Sequence, residues 1–96
     1  MNVAKTILAQ LGGNRFIAMT GASNLAAGNN TLSFKVGKND GKVTHVSVKL
    51  DESDTYTVQF FNIRGVNMKT LREDSMVYAD SLRGLFENVT GMATSL

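Results

Sequence analysis

The chain of 96 residues contains no cysteine. That absence excludes disulfides, thiolate nucleophiles and every cysteine-ligated zinc or iron–sulfur site, and it fits a reducing compartment. Proline is missing too, so glycine, at nine positions, has to supply the hairpin turns and helix stops. Histidine occurs once, at position 45. A hydrolytic triad would have His45 as its only base, and no Gly-x-Ser-x-Gly elbow stands anywhere in the chain. One imidazole without suitably spaced carboxylates makes no metal site either, so the chain reads as non-enzymatic, with no metal and no cofactor. No apolar run reaches membrane-spanning length. Val3 to Leu11 is interrupted by Lys5 and Gln10 and is followed by no cleavage site, so it reads as an amphipathic helix and not as a signal peptide.

Two weaker motifs dissolve on inspection. Asp51, Glu52 and Asp54 are the densest acidic group, but the twelve-residue calcium loop with its glycine and terminal glutamate is absent, which leaves a solvated turn. Gly12-Gly13-Asn14 follows a helix and lacks the lysine and serine of a phosphate-binding loop.

What is present is ordinary globular material. Hydrophobic residues make up 43% and charged residues 19%, enough for one domain spanning 1–96 with its own core. The formal charge of +2 permits an anionic partner without requiring one.

Asn2 is placed to cap a helix whose apolar residues Val3, Ile7, Leu8 and Leu11 share a face, and Gly12-Gly13 stops it. Arg15 to Ala22 reads as a first strand and Ser23 to Asn30 as a polar loop. Leu32, Phe34 and Val36 alternate with polar residues, the period-two signature of a half-buried strand. Asp40-Gly41 inside Lys38–Lys42 signals a hairpin. Val46, Val48 and Leu50 then line one face of a third strand, and Tyr56, Val58 and Phe60 one face of a fourth. Val66 to Leu71 reads as a weaker fifth strand. Asp74 or Ser75 is placed to cap a last helix carrying Val77, Tyr78, Leu82, Leu85, Phe86 and Val89, with Gly84 permitting close packing and Gly91 as its stop. The expected fold is a two-layer α+β domain: an N-terminal helix, an antiparallel sheet of four or five strands and a C-terminal helix, both helices on one sheet face.

The other face is then left open, and it is the surface with functional promise. Its expected members are Ser33, Lys35, His45, Ser47, Lys49, Thr57, Gln59 and Phe61, with Lys38 and Lys42 at the hairpin tip. Two readings follow. Phe61 and Ile63 form an apolar patch for protein contact, covered by a second copy or by another protein. Alternatively Arg15, Lys35, Lys42 and Lys49 neutralise nucleic-acid phosphates while Phe61 offers a stacking platform. Neither involves a membrane or a small-molecule substrate.

The stretches Lys5 through Ala22, Asp54-Thr55-Tyr56, Val77 through Arg83, Thr90-Gly91 and Thr94-Ser95-Leu96 resemble a family of small uncharacterised proteins found in bacteriophages, prophages and the gut bacteria that carry them. The resemblance implies a short accessory protein made in the cytoplasm of a bacterial host, and it assigns no catalytic or binding residue. With it, the expected function is a non-enzymatic accessory role through protein–protein contact, by self-association or with a host partner.

Overall fold

The computed structural model describes residues 3–92. Asn2, read as a cap, and the Thr94-Ser95-Leu96 segment lie outside them. The elements run α1 (Val3–Leu11), α2 (Asn14–Thr20), β1 (Ser23–Gly28), β2 (Thr31–Lys35), β3 (His45–Leu50), β4 (Tyr56–Arg64), β5 (Asn67–Val77), a single 3₁₀ turn (Ala79–Ser81) and α3 (Leu82–Thr90). The strands form one antiparallel meander in the order β1-β2-β3-β4-β5. The helices cover one face of it, as the two-layer α+β expectation requires, with three α-helices among the described residues in place of two.

Period-two alternation fixes the middle of the sheet. Leu32 and Phe34 of β2, Val46 and Val48 of β3, and Tyr56, Val58 and Phe60 of β4 are all buried on the helix side. Ala4, Ile7 and Leu11 of α1 close over them, together with Phe16 of α2 and Leu82 and Phe86 of α3. Three rings from three elements meet at the centre. Phe16 lies 5.4 Å from Phe34 and 5.0 Å from Phe86, both edge-on, the geometry that sets a ring's positive edge against a negative face. Tyr56 ties the sheet to α1, donating its hydroxyl proton to Gln10 Oε1 at 2.6 Å. Burial is the main reason its pKa lies above the ordinary 10.0.

Two sequence readings change here. The segment expected as a first strand is α2: Phe16 and Thr20, four apart, are buried on one helical face, and Gly21 closes the helix in the left-handed region at φ 68°. A short apolar run fits either period, and packing on the core selects the helix. The sheet's first strand is instead the expected polar loop, Ser23–Gly28, whose six residues are all exposed. Pairing with β2 makes it a strand, around a bulge between Ser23 and Ala26.

The last third of the chain is also corrected. β5 is eleven residues long and runs through the expected cap positions Asp74 and Ser75 to Val77. It follows a two-residue turn in which Gly65 takes φ 59° at the first central position, as a type II′ hairpin demands. Gln59 Nε2 donates to Glu73 Oε1 across the strands, and Arg72 pairs with Asp74 along β5 at 2.6 Å. The expected strand from Val66 to Leu71 is thus extended by residues 72–77, a stretch whose mostly polar, exposed side chains carry no alternating apolar face. Helix α3 therefore starts only at Leu82, and Tyr78 is exposed. Gly84 meets no neighbour that a Cβ would touch, so close packing is not its role.

The two later helices share an ending. Phe16 to Gly21 and Phe86 to Gly91 both spell Phe-x-x-x-Thr-Gly. In each, a buried threonine hydroxyl donates back to the phenylalanine carbonyl, at 2.7 Å for Thr20 and 2.8 Å for Thr90, and the glycine is a left-handed cap. In each, the threonine carbonyl also accepts from the chain between β2 and β3: Gly37 N–H donates to Thr20, and Asp40 N–H and Gly41 N–H to Thr90. Gly41 approaches α3 so closely that a Cβ there would run into the Val89 carbonyl.

Candidate functional site

Strand register assembles the open face row by row. Lys35, His45 and Phe61 lie directly across from one another, with Ser33, Ser47 and Gln59 as the next row. Neighbours in such rows are about 5 Å apart, within side-chain contact. Ile63 pairs with Met68 beyond Phe61. These apolar side chains line a shallow groove of about 230 Å³ with His45 and Ser33. The two residues expected to make protein contact, Phe61 and Ile63, are thus brought together, each half-buried, and Met68 extends the patch at 64% exposure. Thr44 holds their backbone in place. Its N–H donates to the Phe61 carbonyl at 2.8 Å, and its Oγ1 accepts from Ile63 N–H at 2.8 Å.

His45 sits in this row with its Nδ1 2.9 Å from Thr44 Oγ1. Its cross-strand neighbours are Lys35 and Phe61, not a carboxylate. Among the described residues no group of three or more His, Asp or Glu is placed to share a metal ion.

The expected basic set, in contrast, is divided by the fold. Lys49 stands four residues along β3 from the His45 row, about 13 Å away along the strand. There it lines a hollow with Asp51 and Glu52. Arg15 is on α2, in the helical layer, because the segment carrying it is not a strand. Lys35 and Lys42 remain together, and two further cations join them. Lys35, Lys38, Lys42 and Arg64 line one cleft of about 510 Å³ at the end of the sheet where β2 and β4 finish. Lys69 pairs with Asn62 of the same lining. None of the four lining cations has a carboxylate at ion-pair distance among the described residues. Asp40, the one acid of that connection, lies against Gly91 and outside the lining.

The connection between β2 and β3 is nine residues long, not the tight Asp-Gly turn expected, and it is heavily tied down. The Asn39 amide donates to the carbonyls of Gly37 at 2.8 Å and Val43 at 2.7 Å, and its oxygen accepts from Val43 N–H. Asn62 Nδ2 donates to the Lys42 carbonyl at 2.7 Å. Lys42 is held at φ 57°, a conformation that costs a side-chain-bearing residue on the order of 1–3 kcal/mol unless its surroundings impose it. The C-termini of α2 and α3 both meet this loop, and their partial negative charge favours cations nearby.

Arg64 and Lys69 were missed in the sequence because they lie in turn and strand segments whose partners only the register reveals. The bias was nonetheless visible in part, as Lys35, Lys38 and Lys42 within eight positions. No helix among the described residues is long and apolar enough to cross a membrane. No protein-family model, curated protein or solved structure matches the chain.

Proposed function

We propose that the protein acts by self-association through the open sheet face, as a short accessory protein of a phage or prophage with no catalytic step of its own. The observation that supports this most is the contiguous patch of Phe61, Ile63 and Met68 on a face the helices leave uncovered. The next row of β2, β3 and β4, Ser33, Ser47 and Gln59, carries no charge, which lowers the cost of covering that part of the face. His45, placed beside Lys35 and Phe61 and not beside an acid, supports a role without acid–base chemistry. β5 itself is a poor template for edge-to-edge pairing. It carries Lys69, Arg72, Glu73 and Asp74, and its ladder with β4 is broken by two irregularities, devices that protect an edge.

The magnitudes point to a weak assembly. Burying three such side chains on each of two copies is worth about 10 kcal/mol gross. Association costs about 4–15 kcal/mol in lost freedom. A concentration-dependent dimer is therefore expected by light scattering or sedimentation across the micromolar to millimolar range. Met68→Ser should shift the midpoint to higher concentration while the variant stays folded. A mass that stays monomeric over the whole range would reject self-association and return the patch to a different protein partner.

A further inference from the structure

We propose that the cleft formed by Lys35, Lys38, Lys42 and Arg64 is a binding site for the phosphate backbone of a nucleic acid. Three separate segments, the end of β2, the β2–β3 connection and the end of β4, deliver cations to one concavity that no carboxylate lines. Bringing four like charges together is unfavourable where no carboxylate lines the same cleft, so the arrangement favours a polyanion. One phosphate is neutralised by one or two cations, whereas a repeating backbone engages all four. The fork of Arg64 offers bidentate hydrogen bonds to a phosphate, and the lysines act as point charges beside it.

The support beneath the cations is built in advance. Asn39, Asn62 and the carbonyls of Thr20 and Thr90 fix the connection, and Lys42 is held in the left-handed region within it. A loop so constrained loses little entropy when a ligand arrives. Phe61 belongs to the neighbouring apolar groove and does not line the cleft, so the backbone contact is independent of self-association and requires no stacked base.

The test is fluorescence anisotropy of a short labelled oligothymidylate with the full chain, at low and near-physiological salt. Binding should saturate. With a slope of about −0.7 per phosphate on a single strand, four contacts give an affinity that falls about 50-fold between roughly 50 and 200 mM salt. Lys38→Glu with Lys42→Glu should lower affinity at least tenfold. Lys49→Glu, half that charge change and at the other end of β3, should lower it less than about threefold, with circular dichroism confirming that both variants fold. Phe61→Ala and Met68→Ser should leave it unchanged, so that loss of the dimer and loss of the cleft are read separately. No saturable binding at low salt would overturn the proposal, as would an equal loss in the Lys49→Glu variant. Displacement by polyglutamate at matched charge would overturn it in favour of an acidic polypeptide.

Discussion

Residues 16–21 and 86–91 carry the same pattern, phenylalanine, three positions, threonine, glycine, and fold to the same end. Only one of them looks like a helix in the sequence. Before the second lie Leu82 and Leu85, which set up a helical stripe leading into Phe86. The first has apolar residues in consecutive positions and only seven residues of helix, too few for a period to declare itself. What makes them alike is tertiary. Phe16 and Phe86 pack on each other at the centre of the core, and Thr20 and Thr90 offer their carbonyls to the same connection between β2 and β3. A local pattern identical in sequence is thus legible in one setting and concealed in another. Its shared purpose, holding a cation-bearing loop, belongs to the assembled fold.

If the two endings are equivalent anchors, Phe16→Ala and Phe86→Ala should each cost about 3–5 kcal/mol in urea denaturation, since each empties a fully enclosed ring site. A loss below about 2 kcal/mol at one of them would break the equivalence. The next largest contrast separates the loop's two contacts. Gly41→Ala should cost about 1–3 kcal/mol, because the added methyl meets the Val89 carbonyl and neither backbone segment yields easily. Faster amide exchange at Asp40 and Gly41 should accompany it. Gly37→Ala, whose Cβ stands 3.4 Å from the Thr20 carbonyl, should be tolerated within about 1 kcal/mol. The smallest effect sharpens the comparison most. Thr20→Val removes one hydroxyl bond to a carbonyl and should cost about 0.5–1.5 kcal/mol. Thr90→Val should cost more, because its hydroxyl also accepts from Met92 N–H at 3.1 Å. Equal losses would mean that the tail contact contributes nothing.

The candidate site shows the same division. Phe61 and Ile63 were readable as outward residues from alternation along a single strand, because β4 keeps strict period two from Tyr56 to Phe61 and buries its other face. Met68 was not, since only the register with β4 carries it to Ile63. Lys35 and Lys49 looked equivalent in the sequence, both outward on amphipathic strands. The strand axis separates them and assigns one to a basic end and the other to an acidic one. Arg15 changed layer altogether with its segment.

By itself the sequence determined the helix–sheet layering, the inward faces of β2, β3 and β4, the stops at Gly12-Gly13 and Gly91, and the absence of cysteine chemistry. These depend on short-range periodicity, on backbone preference and on which side chains exist. The tertiary structure decided that Arg15–Thr20 is helical, that Ser23–Gly28 is a strand, that the fifth strand runs on past Leu71 to Val77, and which cations share a cleft. Edge strands of polar or small residues draw their regularity from hydrogen bonds to a neighbouring strand, and a surface cluster draws its charge from residues far apart in the chain. Both are properties of pairing across distance, which no local window contains.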